Sequence, residues 1–454
     1  MTNKENTNVE SVGFIALGCP KNLVDSEKML AEIGEAGFVI CEDIADADVV
    51  VINTCGFIAP AKQEAIGAIK EAIDCKKTGS VKKVIVTGCL AQRMGLELKN
   101  AVSGIDAVVG LGERDNIAAI IKQTLHPLAE NPSTIYMGGG DESISDDRGR
   151  LLITPAHWAY MRISEGCDRK CAFCTIPSIR GKFRSKPENM ILSEAEELSG
   201  NGAVELSIIA QDSNYYGRDI GEKNGLSRLI TKLEKIDALQ WIRLMYLYPA
   251  GIDDRLIETI AASKKVLNYI DMPVQHINDD ILKSMRRSDR KDKTMGLIEK
   301  LRATMDDVVL RTTVITGLPG ETDESFAELI EFVKWARFDA LGCFSFYPEP
   351  GTAAAKMDVQ VPEEIRKERA DILMGVQQEI AFDKAKQWVG KKLTCLIDEG
   401  PDTDGVGVGR FYGQAPHVDS ICLVKDCSAK QGDFVETEVL AANEYDLIVE
   451  EISG

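Results

Sequence analysis

Three short apolar runs near the N-terminus, VGFIAL (12–17), ADVVVINT (47–54) and KVIVTG (83–88), contain almost no polar alternation. Unbroken β-branched runs of this length suit strands of a parallel sheet that are covered on both faces. Between them lie LVDSEKMLAEIGEAG and APAKQEAIGAIKEAID, whose apolar residues recur at helical spacing. Strand and helix alternating in this way define a doubly wound parallel α/β domain, expected over residues 1–135.

The stretch NPSTIYMGGGDESISDDRGR has no periodicity and is rich in Gly, Ser and Asp, so residues 136–156 read as a linker or exposed flap. A second alternation starts at Trp158, with candidate strands AYMRISEG, ELSIIAQD, WIRLMYLYP, YIDMPVQH, VLRTTVITG and ALGCFSFYP. Six βα repeats predict a partial (βα)6 barrel over 157–387, with function at the C-terminal ends of its strands. After the long helical pattern VPEEIRKERADILMGVQQEIAFDKAKQWV, residues 388–454 carry short alternating strands parted by Gly, Pro and Asp, as in a small antiparallel β-barrel. The expected fold class is therefore α/β multidomain with an appended β-barrel.

No run of ~20 apolar residues is long enough to cross a bilayer. The polar start MTNKENTNVE lacks the blocks of a signal peptide, so a reducing, cytoplasmic location with no membrane partner is expected. There the twelve cysteines are metal ligands, redox groups or core filler rather than disulfides. The net charge of −19 disfavours DNA and favours a basic partner.

Cys167, Cys171 and Cys174 stand in SEGCDRKCAFCTIPSIRG at spacing CxxxCxxC. Three thiolates this close can hold one polynuclear iron centre, whereas structural zinc needs a fourth ligand that the segment lacks. One face of a helix would also bring the three together, but Gly166 and Pro177 bracket the segment and favour a loop. Cys19, Cys55 and Cys89 each follow directly on one of the three apolar runs. All C-terminal strand ends of a parallel sheet share one edge, where such sheets bind ligands, so these three thiols are expected to converge on a second iron–sulfur centre. Cys41, Cys75, Cys343, Cys395, Cys422 and Cys427 show no such convergence and read as packing.

Other segments add support. Gly317, Pro319, Gly320 and Glu321 in VITGLPGET follow a strand and would let backbone approach a cofactor. Gln211, Asp212 and Gln275 end strands on the active edge, although strand-end polar residues also serve as helix caps. Arg180, Lys182, Arg184 and Lys186 could meet a carboxylate, but such a run more often forms a solvated face. No catalytic side chain stands out, because the chemistry falls to the clusters.

The cysteine spacing, with Phe173 before the last thiol and βα repeats behind it, resembles the radical S-adenosylmethionine superfamily. That resemblance implies that the open iron of a [4Fe–4S] cluster on Cys167, Cys171 and Cys174 chelates S-adenosylmethionine, whose reductive cleavage gives a 5′-deoxyadenosyl radical. It also makes Phe173, Gln211, Gln275, Gly317, Gly320 and Glu321 candidate cofactor contacts. With the N-terminal trio and the C-terminal barrel, called TRAM, the chain is similar to the methylthiotransferase family. The segments GCPKNLVDSEKML, LSIIAQDSNYYG, YLYP and CTIPSIRGKFRSKP look like its RimO-type branch, which methylthiolates the β-carbon of an aspartate in small-subunit ribosomal protein twelve. The transfer RNA adenosine branch would more typically read Gln-Met-Asn where this chain has Pro20, Lys21 and Asn22. A non-catalytic iron–sulfur or RNA-binding protein is the rival from another class.

The resemblance implies a second [4Fe–4S] cluster on Cys19, Cys55 and Cys89 that presents sulfur, a second S-adenosylmethionine as methyl source, and an electron donor. The tail beyond Gly390 carries five Lys and Arg against thirteen Asp and Glu. An acidic barrel suits a Lys- and Arg-rich ribosomal protein, while Lys283, Arg286, Arg287, Arg290, Lys291 and Lys293 could touch ribosomal RNA nearby.

Overall fold

The computed structural model describes residues 10–79, 81–128, 133–138 and 144–452. The N-terminal segment read for targeting, up to residue 9, and the centre of the expected linker, 139–143, lie outside the described residues. The chain divides into two compact units. The first comprises residues 1–153 with 175–182, and the second comprises 154–174 with 183–454.

In the first unit, six strands form one sheet: β1 (Ser11–Ala16), β2 (Val39–Cys41), β3 (Val49–Thr54), β4 (Lys83–Gly88), β5 (Ala107–Val109) and β6 (Ile135–Tyr136). Their order is β2-β1-β3-β4-β5-β6, and every pairing is parallel. All six residues of β3 are buried, as its unbroken Val and Ile run requires. Helix α1 (Pro20–Glu35) packs Met29 and Ile33 on one face with Val49, Val51 and Ile85. Helix α2 (Ala59–Thr78) packs Ala65, Ile69 and Ala72 on the other with Val50, Ile52 and Val86. The three runs read from sequence are β1, β3 and β4. Strands β2, β5 and β6 are two or three residues long, too short for a periodicity to register.

Residues 144–153, expected as linker or flap, are held to this unit. The Leu151 amide donates to the Glu27 carbonyl at 3.1 Å, and the buried Arg150 guanidinium meets the equally buried Glu27 carboxylate. The acidic, Gly-rich composition hid these contacts because one is made by the backbone and the other by a single pair of side chains.

In the second unit, strands Trp158–Arg162, Glu205–Ile209, Trp241–Leu244, Val266–Asp271, Val309–Thr316 and Ala340–Ser345 lie side by side in sequence order. All their pairings are parallel. Sequential order with a helix after each strand is the open, partial (βα)6 arrangement. Among the described residues no helix is long and apolar enough to cross a membrane.

Strands Lys392–Glu399, Gly407–Phe411, Cys422–Lys425, Phe434–Asn443 and Asp446–Glu451 close into a five-stranded barrel. The expectation of a wholly antiparallel barrel needs one correction: Cys422–Lys425 and Asp446–Glu451 pair in parallel. Closure forces one such pair, because strand direction cannot alternate all the way around a ring of five. Strand Gly407–Phe411 was not legible, since glycines at 407 and 409 weaken the strand pattern.

Candidate functional site

The order β2-β1-β3-β4-β5 places a topological switch point between β1 and β3, where the chain reverses its direction of winding and a crevice opens at the carboxyl ends. Cys19 and Cys55 stand just beyond those two strands, and Cys89 just beyond the neighbouring β4. Gly18 has φ +100°, and a Cβ there would lie 2.8 Å from Cys55 Cβ. Gly88 has φ +92°, and a Cβ there would lie 2.7 Å from the Thr54 nitrogen. The strand ends can approach this closely only because both positions lack a side chain.

Asn22, in the first turn of α1, joins the three loops. Its Nδ2 donates to the carbonyls of Leu17 (3.0 Å) and Thr54 (2.9 Å), while its Oδ1 accepts from the Cys89 thiol at 3.4 Å. Helix α1 starts directly after Cys19, which puts that residue at the positive end of the helix dipole. Burial pushes the Cys55 thiol above its usual value, and the charge of Cys19 adds to the effect. Burial likewise pushes Cys89 up to about 11, again reinforced by Cys19 and opposed by the Arg180 guanidinium. The three thiols thus interact electrostatically.

Among the described residues, no three His, Cys, Asp or Glu side chains form a site for a single metal ion. An all-thiol donor set spread over three loops suits a polynuclear iron–sulfur centre, which is wider than one ion.

In the second unit, residues 166–174 form a loop and not the alternative helix face. The Cys174 amide closes a turn on the Cys171 carbonyl at 3.2 Å. The Ala172 amide donates to the Met285 carbonyl, and the Ala172 carbonyl accepts from the Ala354 amide, so both sides of the loop are anchored. Burial pushes Cys167 up to about 11 and raises Cys171, where Arg287 and Arg169 oppose the shift. Arg169 lies 3.9 Å from the Tyr248 ring centroid and Arg287 lies 4.3 Å from it, so two cations stack on one aromatic beside the thiols. Asp212 Oδ2 accepts from Arg169 at 2.7 Å.

The polar strand ends are incompletely satisfied. Gln211 donates to Glu165 at 2.9 Å, yet Gln211 Oε1, Asp212 Oδ1 and Gln275 Oε1 are buried and find no hydrogen-bond partner among the described residues. Gln275 also has φ +68°, a costly backbone state for a non-glycine residue, fixed by hydrogen bonds on both sides to the Thr313 and Ile315 backbone. Buried orphan acceptors beyond the ends of two strands of one sheet fit a polar ligand such as S-adenosylmethionine.

Models of the radical SAM superfamily match residues 161–333, of an uncharacterized protein family, UPF0004, residues 11–110, and of the TRAM domain residues 389–452. The ribosomal protein uS12 methylthiotransferase RimO of Syntrophomonas wolfei is 42% identical over 441 residues, covering 97% of this chain and 99% of that one. Its counterpart in Clostridioides difficile is 41% identical over 438 residues, covering 96% and 98%. The chain belongs to the RimO family. Among solved structures, the radical S-adenosylmethionine methyltransferase TsrM from Kitasatospora setae superposes with a TM-score of 0.54 at 13% identity, covering 74% of this chain and 73% of that one. This likeness speaks for the fold alone.

Several candidates in this RimO-family chain also have structural contacts of their own. Both carboxylate oxygens of Glu321 accept from the Gly317 amide at 2.9 Å, and one is also held by Arg369 at 2.8 Å. Glu321 therefore braces its own turn. A Cβ at Gly317, where φ is +74°, would overlap the side chain of Arg366, so that glycine makes room for a neighbouring helix. Gly320 has open space around it, and Phe173 packs against the apolar cluster that contains Leu282, Met285 and Leu318.

The basic run after the thiol loop is not a solvated face throughout. Lys182 is exposed, but Lys186 is fully buried against Glu194 and Arg180 is buried in the first unit. In the second run, Arg287 is buried against Asp289, leaving Lys283, Arg286 and Lys293 exposed. Asn22, Arg169 and Tyr248 escaped the sequence reading because their partners are distant in sequence. Cys395 and Cys422 hydrogen-bond within the barrel core.

Proposed function

We propose that this protein is a radical S-adenosylmethionine methylthiotransferase that adds a methylthio group to the β-carbon of an aspartate in ribosomal protein uS12. The observation that carries this reading is near full-length similarity to RimO proteins at 41–42% identity, in a chain whose N-terminal sheet has a cysteine just beyond each of the adjacent strands β1, β3 and β4. Cys167, Cys171 and Cys174 would hold one [4Fe–4S] cluster, and Cys19, Cys55 and Cys89 the other. When bound, the first with S-adenosylmethionine supplies a hydrogen-abstracting radical, and the second supplies sulfur.

The chain's own residues prepare these sites. Asn22 holds the three N-terminal loops in register. Arg169 and Arg287, stacked on Tyr248, place positive charge beside Cys171 and favour its thiolate. The unsatisfied oxygens of Gln211, Asp212 and Gln275 offer acceptors to the ammonium and hydroxyl groups of S-adenosylmethionine. Barrel acidity favours a basic protein substrate over transfer RNA, while exposed Lys283, Arg286 and Lys293 are available to nearby ribosomal RNA. A cytoplasmic location and a low-potential electron donor complete the reading.

The test is to incubate the anaerobically reconstituted enzyme, reductant and S-adenosylmethionine with small ribosomal subunits and, separately, with unmodified transfer RNA. Mass spectrometry should find a methylthio group on uS12 alone. Modification of adenosine instead would replace the substrate, and absence of 5′-deoxyadenosine would remove the enzymatic reading altogether.

A further inference from the structure

In the basic run after the thiol loop, Arg180 and Lys186 are buried against the carboxylates of Asp25 and Glu194, and Lys182 is exposed to solvent. Arg184 fits neither pattern. It is half-buried, and its guanidinium donates no hydrogen bond and forms no ion pair among the described residues. Its Nε is enclosed by protein without a partner, while neither terminal nitrogen is enclosed in this way. A cation that has given up part of its hydration without gaining an acceptor is costly to keep. Its planar fork matches a carboxylate.

The backbone fixes where that fork stands. Strands Ser164–Glu165 and Arg184–Ser185 form an antiparallel ribbon in the second unit, with Arg184 directly opposite Glu165. Residues opposite each other in such a pair share a face. Glu165 precedes the thiol loop and accepts from the Gly166 amide at 3.2 Å and from Gln211, beyond the end of the strand Glu205–Ile209. The Phe183 amide, next to Arg184, donates to Asp168 within the loop at 3.0 Å. Arg184 thus stands on the ribbon face that meets both the Cys167 loop and the active edge of the sheet. The carboxylates around it are engaged by other groups: Glu165 also holds Arg162 at 2.8 Å, Asp212 holds Arg169 at 2.7 Å, and Asp219 accepts from the Ser185 amide at 2.8 Å.

We propose that Arg184 is a substrate-binding residue whose terminal nitrogens take the side-chain carboxylate of the uS12 aspartate. The proposal rests on the methylthiotransferase reading. The carboxylate is one bond from the carbon that loses hydrogen, so a fork on it holds the β-carbon in one place and rejects asparagine, which brings no charge to the buried cation. No bond to Arg184 forms or breaks. S-adenosylmethionine carries the other carboxylate of the reaction, and the experiment separates the two sources.

The full-length reconstituted enzyme is given small ribosomal subunits whose uS12 carries aspartate or asparagine at the modified position. Equilibrium dialysis measures S-adenosylmethionine affinity, chromatography measures 5′-deoxyadenosine formed without subunits, and mass spectrometry gives kcat/KM for methylthio transfer on both substrates. The parent should prefer aspartate by about a hundredfold or more. Arg184→Gln should keep S-adenosylmethionine affinity and 5′-deoxyadenosine formation within about threefold. It should lower kcat/KM on aspartate about a hundredfold and shrink the preference below about threefold. Equal loss on both substrates, an unchanged preference, or a parent that accepts both substrates equally overturns the proposal. A fall of about tenfold or more in S-adenosylmethionine affinity assigns Arg184 to that carboxylate instead and also overturns it. Should Arg184→Gln fail to fold or to hold iron, Arg184→Lys decides, since it keeps the charge without the fork. A reduced preference at parental S-adenosylmethionine affinity then supports the proposal, and an unchanged preference overturns it. If the parent forms 5′-deoxyadenosine but leaves uS12 unmodified, the substrate reading fails first and takes the proposal with it.

Discussion

The Asn22 side-chain amide donates to the Thr54 carbonyl at 2.9 Å, tying the first turn of one helix to the end of a strand 32 residues away. Through its second N–H and its oxygen the same amide reaches Leu17 and Cys89. Asn22→Leu would strand two backbone carbonyls, each costing ~1–3 kcal/mol when buried. Denaturant unfolding should show that loss, and reconstituted iron should fall from about eight toward about four per chain as the N-terminal cluster fails to assemble.

The two thiol trios should be separable by readout. Cys55→Ala is expected to retain about four irons and to keep forming 5′-deoxyadenosine while losing methylthio transfer. Cys171→Ala should abolish 5′-deoxyadenosine formation. Chromatography of the nucleoside and mass spectrometry of uS12 measure both; a Cys55→Ala enzyme that still inserts sulfur would remove the trio from the chemistry.

The second unit carries a buried ion network. Glu205 accepts from Arg243 at 2.8 Å and from Arg410 at 2.7 Å, and Arg410 also holds Asp398. Arg410→Ala leaves Glu205 short of a partner and should cost ~3–5 kcal/mol, read as a lower urea midpoint.

The same network predicts acid sensitivity. Burial opposes ionisation of Glu205 and Asp398, but the Arg410, Arg243 and His157 contacts outweigh it and hold both carboxyls below their ordinary values of 4.5 and 3.8. Stability from these groups is therefore complete above those values and is lost as pH falls through the lowered folded-state range. Urea midpoints measured from pH 7 downward should drop steeply only below about pH 4.5, and Glu205→Gln should flatten the drop.

Glu321 should behave as a brace. Glu321→Gln weakens the hold on Arg369 and should cost ~1–3 kcal/mol, while equilibrium dialysis finds S-adenosylmethionine affinity changed less than about threefold. A larger loss of affinity with unchanged stability would restore Glu321 as a cofactor contact.

Much of the architecture was legible in the chain. Unbroken Val and Ile runs marked β3 and β4, and six apolar runs marked the strands of the second sheet, because burial on two faces leaves a local pattern. Thiols directly after strands were legible for the same reason. Pairings between single side chains distant in sequence left no period to find, so Arg180 and Lys186 resembled a solvated run and the hold of Glu321 on Arg369 was not legible.

By itself the sequence determined where strands end and that a cysteine follows three of them, since burial on both faces leaves an unbroken apolar run that stops where the strand does. Only the tertiary structure decided what stands beside those sulfurs. Asn22, Asp25 and Arg180 come together because sheet order and chain crossing bring remote positions into one low-dielectric pocket, where an unpaired charge is too costly to leave alone.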